Sequence, residues 1–521
     1  MAAPAVGGHQ WSSVVLAPFF LGACTTAGCR PANYGSSMAT LDAVVVGSGP
    51  NGLAAALTLA RAGLAVEVLE GAPTPGGGCR TAELTLPGFR HDVCSAVHPL
   101  VVASPFFRTV DLAAGGVKVL DPEVAFAHPL DGGRAAAVYR SVEGTAAHLA
   151  GDGPAYRRLF GPLARQIDLV LPTVLGPLRA PPRHPLAMAR LGLPGLLPAS
   201  RLAAHFGTEE ARALVAGAAA HSMLPLDTPL TASYGLLFIA LGHAHGWPVV
   251  EGGSQAIVDA LVAELGAYGV DVRFDRWVKG LADLPPARLA LMDVAPRHLA
   301  QIAADRLSTA YQRALRRFRP GPGVCKVDFA LAGPVPWEAP ACRLAATVHV
   351  GGAFEEVAAG EAEVAAGRHP ERPFCLVAQP GVVDPTRAPA GKQTLWAYCH
   401  VPSGSSVDMS DRIEAQIERF APGFRDLVLA RATRTAVDEE QDNPNYVGGD
   451  ITGGAATLRQ TLFRPTVRWD NYRTPAPGLY LCSASAPPGG GVHGMCGYWA
   501  ARRALADHRK GIDFQRAGAG E

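Results

Sequence analysis

The chain has 521 residues, with 46 basic against 45 acidic side chains and a formal charge of +1, so no global field draws it to nucleic acid or to an anionic membrane. Its length allows two or three domains around a large core. The 59 Gly and 44 Pro are about a fifth of the residues, under the ~25–30% that marks low complexity. Ten cysteines without a C-x-x-C pair exclude a disulfide framework and a redox dithiol, and fit a reducing cytoplasm. No apolar run approaches the roughly 20 residues of a membrane span.

Residues 1–37 are expected to be disordered or a misassigned extension, because Met38 stands just ahead of the first strand-like run. The alternative is export: "VVLAPFFLGAC", Val14 to Cys24, looks like a lipoprotein signal but lacks a preceding Lys or Arg. Then comes "DAVVVGSGPNGLAAALTLARAGLAVEVLE", Asp42 to Glu70. Its apolar run without polar alternation predicts a strand buried on both faces. Gly47 permits the tight turn, Gly49 lets a pyrophosphate approach the backbone, and Gly52 lets the next helix pack on the strand. Leu53, Leu57 and Ala60 form that helix's inner stripe and Gly63 its C-cap. Glu70 follows Gly52 by 18 residues, where an acid accepts ribose hydroxyls and repels a 2′-phosphate; this fits FAD or NAD better than NADP. Gly76, Gly77 and Gly78 supply a second backbone surface suited to the longer FAD, and Arg80 behind them can neutralise phosphate or form a surface ion pair.

Residues 111–246 are rich in Ala, Leu and Pro and read as helical; "YGLLFIAL", Tyr234 to Leu241, is a core helix. His221, His243 and His245 are core or cavity residues, since no third ligand at suitable spacing supports a metal. Gly253 and Ser254 open a helix with Ile257, Leu261 and Leu265 on one face, which leads into a strand at Val270. "RLALMDV", Arg288 to Val294, adds a strand to the same sheet, with almost no hairpin before it. The basic run Arg313 to Arg319 reads as the solvated face of a helix whose inner face is Tyr311, Leu315 and Phe318. Strand-like runs such as "VCKVDFAL" and "TLWAYCHV" follow. Tyr398 and Tyr446 are candidates for an aromatic wall, or for packing alone. "VGGDITGG", Val447 to Gly454, is not set between strand and helix, so a second dinucleotide fingerprint for NADPH is absent.

"GSGPNGLAAAL", "GGGCRTAELTLPGFRHDVCSAVHPL", "GWPVVEGGSQAIVDAL" and above all "GLYLCSASAPPGGGVHGMCGYWAARRAL" carry a resemblance over about Leu41 to Leu505. The chain resembles the FAD-dependent phytoene desaturase and amine oxidase superfamily, in the bacterial phytoene dehydrogenase-like branch related to pyridine nucleotide-disulfide oxidoreductase domain-containing protein 2. The resemblance implies an α/β fold: a Rossmann-like FAD-binding domain of glutathione reductase type with an inserted α+β substrate domain. It implies a discontinuous FAD domain at 38–110, 247–323 and 470–510, a substrate domain at 111–246 and 324–469, and a tail at 511–521. Val278 would meet the adenine. Ser483, Gly491, Val492, His493 and Gly494 would lie at the flavin, where backbone donors and a helix N-terminus favour reduction; Ser483 departs from the branch's usual glycine. Lys326 matches by strand context the lysine that amine oxidases hold near the flavin, with a strand lysine reaching solvent as the other reading. Cys94, Cys482 and Cys496 fall near flavin-facing segments, with no covalent link expected.

The activity implied is FAD-dependent removal of hydride from an apolar, possibly polyene or isoprenoid, small molecule, with oxygen or a quinone as acceptor. Such a transfer needs no acid or base, only a substrate held against the ring with water excluded. A flavin amine oxidase, and a flavin-stabilised regulatory protein with little catalysis, are the alternatives. A cytoplasmic protein, with peripheral membrane contact allowed, is expected.

Overall fold

The computed structural model describes residues 41–177 and 181–514. The extension at 1–37 and most of the 511–521 tail lie outside the described residues. Two sheets organise the rest. One has five parallel strands in the order Leu479–Leu481, Ala287–Met292, Leu41–Val46, Val66–Leu69 and Asp271–Arg273. Val44, Val45, Val68, Leu289 and Leu291 are fully buried, as continuous apolar strands covered on both faces must be. No strand is found between Asp271–Arg273 and Ala287–Met292, in keeping with the missing hairpin.

The register fixes where function can sit. Val46 lies level with Leu69 on one side and with Met292 on the other, and Met292 is level with Leu481. Gly47, Glu70, Asp293 and Cys482 therefore emerge together along one edge. Strand Leu41–Val46 has its next strand in sequence on one side and a much later one on the other, which makes this edge the switch point where open α/β sheets bind ligands.

Helix Pro50–Ala60 starts with Pro at its first position, where the missing N–H costs nothing. Leu53, Leu57 and Ala60 are buried, and Gly63 closes the helix with φ +86. A Cβ on Gly52 would lie 2.0 Å from the Gly47 carbonyl oxygen, so only glycine lets this helix lie so close to its strand. Helix Met495–His508 packs on the same helix through Gly497, whose Cβ would fall 1.8 Å from the Asn51 carbonyl oxygen. The far end of the chain thus reaches the first turn.

The second sheet has seven strands in the order Val428–Arg434, Gly323–Leu331, Gln393–Val401, Cys375–Ala378, Thr347–Val350, Val124–Leu130 and Arg134–Tyr139. It is antiparallel except between Thr347–Val350 and Val124–Leu130. Period-two alternation sorts its side chains. Cys325, Val327, Phe329, Leu395, Ala397 and Cys399 enter a core closed by Ile413, Ile417 and Phe420 of helix Ser410–Phe420. Trp396, Tyr398 and Leu376 face the other way and join the core shared with the first sheet. Helices Gly153–Val174, Glu209–Ala220 and Thr231–His245 complete this region. The basic run falls on helix Thr309–Arg316, with Tyr311 and Leu315 buried and its arginines outward.

Candidate cofactor and substrate site

A cavity of about 670 Å³ starts at the switch point and runs to the second sheet. At its first end Gly47, Gly49, Asn51, Glu70, Gly77, Gly78, Arg80 and Val278 line it. Gly47 has φ +100, and its Cβ would meet the Asp293 carbonyl oxygen at 3.0 Å. Gly77 lies so close to the first turn that its Cβ would stand 3.4 Å from the Gly49 Cα, and a Cβ on Gly78 would overlap the Tyr446 hydroxyl at 1.9 Å. Glu70 is pinned by three donors: Ser48 N (2.8 Å) and Ser48 Oγ (2.6 Å) to Oε2, and Ala72 N (2.8 Å) to Oε1. The buried Oδ1 of Asn51 has no partner within the protein. Glycine-lined backbone, a helix N-terminus and an oriented acid fit a dinucleotide, and the orphaned Asn51 oxygen is an acceptor that such a ligand would satisfy.

Arg80 forms an ion pair, the second of its two readings: it lines the cavity, donates from Nε to the Gly77 carbonyl (2.7 Å) and pairs with Asp442 at 2.5 Å.

Asp293 lies outside the motifs read from the sequence. Its Oδ2 accepts from the Gly52 N–H at 2.8 Å, and Asn445 braces the segment by accepting from Ala295 N at 2.8 Å. Burial raises the Asp293 carboxyl to about 7, the Gly52 N–H opposes this, and the Glu70 charge adds to it. The signal was present in the sequence, because "LALMDV" is a parallel strand and its last residues must face the switch point.

The other end is aromatic. Tyr234, Phe238, Trp247, Trp396 and Tyr398 line it together with His221, Met223 and Leu376. The Trp396 and Tyr398 rings stack at 5.5 Å and 17°. His221 faces His349 through their Nε2 atoms at 2.9 Å, and burial pushes His221 down to about 3, so it is neutral. Tyr446 and Cys94 lie along the wall as well, and Ser483, Gly491 and Val492 do so from the tail.

Several candidates sit elsewhere. His493 and Gly494 do not line the cavity: His493 accepts the Met495 N–H on Nδ1 at 3.0 Å, and Gly494 caps the last helix against Phe106. Lys326 neither lines the cavity nor reaches solvent; it is buried, paired with Asp328, with its ammonium 5.6 Å from the centre of the Trp396 ring. The even-numbered face of its strand points into the interior, where a charge survives only when paired. His243 is held by Tyr156 (2.7 Å) and the Tyr139 carbonyl, and His245 joins Asp168 at 2.9 Å. Cys482 and Cys496 are buried off the wall. The glycine-rich loop Val447 to Gly454, which is no dinucleotide fingerprint, contributes Ile451 to Gly454 to the cavity wall.

Residues 45–110 match the model of an NAD(P)-binding Rossmann-like domain. The chain is 28% identical to pyridine nucleotide-disulfide oxidoreductase domain-containing protein 2 of Rattus norvegicus, over 89% of this chain and 93% of that protein. It is a homologue of that protein. A shorter match, 33% over 24% of this chain and 26% of the relative, is to 4,4'-diapolycopen-4-al dehydrogenase of Metabacillus indicus. Among solved structures, a variant of putrescine oxidase aligns with a TM-score of 0.57 at 18% identity, covering 89% of this chain and 99% of that one. These sequence relatives carry oxidoreductase or dehydrogenase names, and what the chain shares with the family model is a Rossmann-like nucleotide-binding domain. Despite the relative's name, the eight described cysteines are all free. No helix of the described residues is long and apolar enough to cross a membrane.

Proposed function

We propose that the protein is an FAD-dependent oxidoreductase that removes hydride from an apolar, polyene- or isoprenoid-like substrate, with oxygen or a quinone as final acceptor. The observation that carries this reading is the single cavity joining a glycine-built dinucleotide cradle to an aromatic wall. Bound there, FAD would supply the hydride acceptor. Glu70 would hold the adenosine ribose, Val278 the adenine, the start of helix Pro50–Ala60 the pyrophosphate, and Ser483 with Gly491 and Val492 the flavin end. Phe238, Trp247, Trp396 and Tyr398 would hold an apolar substrate and keep water away from the reacting C–H bond. Neutral His221 can donate or accept one hydrogen bond without bringing charge to the wall.

The match to a diapolycopenal dehydrogenase supports a polyene-like substrate. An amine substrate, suggested by the likeness to putrescine oxidase, is less well supported. Trp396 and Tyr398 stack on each other rather than flanking a slot, and the acids on the wall, Glu70, Asp293 and Asp442, belong to the nucleotide end. Exposed Leu186, Leu193, Leu196 and Leu197 offer an apolar patch for peripheral membrane contact, a route by which such a substrate could arrive.

The test is anaerobic bleaching of the visible flavin band of purified protein by polyenes, isoprenoid alcohols, isoprenoid acids and amines. Bleaching by a polyene or isoprenoid is expected. Bleaching by amines alone, or protein that stays colourless after reconstitution with FAD, overturns the reading; a bound flavin bleached by none of them identifies a regulatory protein.

A further inference from the structure

Three cationic side chains among the described residues are buried: Lys326, Arg387 and Arg464. Two are neutralised by the protein. Lys326 pairs with Asp328, and Arg387 is clamped by Asp92 at 2.9 Å and Asp384 at 2.7 Å. Arg464, only 5% exposed, is in no ion pair. Its Nη2 donates to the carbonyls of Gly453 (2.9 Å) and Gly454 (3.5 Å), Nη1 makes no hydrogen bond, and the enclosed Nε has no acceptor. Burial lowers the Arg464 pKa, and the one carboxylate among the groups that oppose this is Asp450. Its carboxylate is already used by Gly321 N and Gly454 N on Oδ2, both at 2.7 Å, and by Thr452 N and Oγ1 on Oδ1 at 2.7 and 2.6 Å.

An unpaired buried charge is among the costliest features a fold can carry, and this one lines the cavity beside Tyr234, Ile451 and Ala456. The surroundings are fitted to it. Gly489 has φ +122 and a Cβ there would fall 2.3 Å from Nη1, while the Phe318 ring lies 5.9 Å from the guanidinium carbon. A guanidinium held with Nη1 free in the cavity suits a carboxylate, which accepts a charge-assisted hydrogen bond from it.

We propose that Arg464 is the counter-charge for a carboxylate on the substrate, so that the cavity takes an apolar acid rather than a hydrocarbon, an alcohol or an amine. The inference deepens the proposed function and rests on it for the apolar body of the substrate. The other source of negative charge for Arg464 is the reduced cofactor, and the test separates the two.

Calorimetric titration of flavin-loaded protein with geranate and with geraniol, isoprenoid probes differing in charge, reads the preference directly. Wild type is expected to bind the acid about tenfold or more tightly than the alcohol, the scale of one charge-assisted contact in an enclosed site. Arg464→Gln should abolish this ratio with geraniol binding unchanged, and Arg464→Lys should keep part of it. Equal affinities in wild type overturn the proposal, as does an intact ratio in Arg464→Gln. So does a lowered flavin midpoint potential in Arg464→Gln with no change in the ratio, which assigns the charge to the cofactor. Should Arg464→Gln not fold, the ratios of wild type and Arg464→Lys decide. The absorbance of the same preparation reports flavin separately, so colourless protein refutes the cofactor reading while the binding ratio still tests Arg464.

Discussion

The two ends of the cavity are built from different materials. The nucleotide end is made of backbone: Gly47, Gly49, Gly77 and Gly78 expose peptide groups, and the Gly52 contact behind them lets helix and strand close up. The substrate end is made of side chains, from Phe238 on a helix to Trp396 and Tyr398 on a strand. A backbone surface depends on having no side chain, so it tolerates almost no substitution. A wall of rings depends on filling a volume, which many residues can do. The first end therefore binds one chemical class, and the second is where relatives of the same fold can differ in substrate.

The sharpest way to break this contrast is Gly52→Ala. Its Cβ would lie 2.0 Å from the backbone oxygen of Gly47, and neither partner can turn aside as a side chain would. The variant is expected to yield little folded protein, with no flavin retained by what does fold. Absorbance at the flavin band and circular dichroism of the purified protein check this. A variant that keeps its flavin would show the close helix approach to be dispensable.

Next in size is a buried ion cluster away from the cavity wall. Arg387 joins Asp92, Asp384 and the Val250 carbonyl, while Asp92 also accepts from Ser254 N at 2.8 Å. Arg387→Met strands two buried carboxylates, which costs about 3–5 kcal/mol in unfolding free energy. Denaturant unfolding measures the loss. Replacing both acids as well, by Asn, should recover much of it, since the cost lies in the stranded charge rather than in the missing bridge.

These two cases also show what could be read in advance. The cradle was legible because its residues are local: three glycines, a helix stripe and Glu70 fall within 24 residues, and each spacing has one physical meaning. The glycine-rich tail could be placed through its resemblance to a known family. Arg387, Arg464 and the wall residues other than Tyr398 and Tyr446 were not legible, because their partners are far away in sequence, whereas the position of Asp293 follows from its strand. Whether a lone Arg or Lys faces water or a buried carboxylate depends on which side of a strand it occupies. One residue of register decides that, as Lys326 shows.

Asp293 gives a smaller effect with a definite sign. Burial, first, and the Glu70 charge hold its carboxyl at about 7 in the folded chain, against roughly 3.9 when unfolded. Between those values the folded state keeps a proton that the unfolded state releases. The contribution is complete below about pH 4 and is lost as pH rises through 7, with a slope of at most about 1.4 kcal/mol per pH unit. Asp293→Asn should remove that slope, leaving the cofactor-free variant more stable than wild type at pH 8 and no more stable at pH 4; the Asn oxygen can still accept the Gly52 N–H. Thermal melts across this range decide, and a wild-type profile that is already flat would show that the carboxyl titrates normally.

The smallest effect belongs to the aromatic wall. Trp396 is buried, yet its Nε1–H has no acceptor, so its replacement removes an unsatisfied donor along with part of a ring. Trp396→Phe loses packing against Tyr398 and the attraction of the ring for the Lys326 ammonium, worth about 0.5–2 kcal/mol. It also relieves the cost of the stranded N–H, about 1–3 kcal/mol. The two nearly cancel, so stability should move by less than about 1 kcal/mol and flavin content should not change. Affinity for an apolar ligand should shift by a few-fold, since the ring faces the cavity and nothing behind it follows. If the flavin were lost with Trp396, the two ends would be one mechanical unit, and the contrast between a backbone cradle and an exchangeable wall would be false.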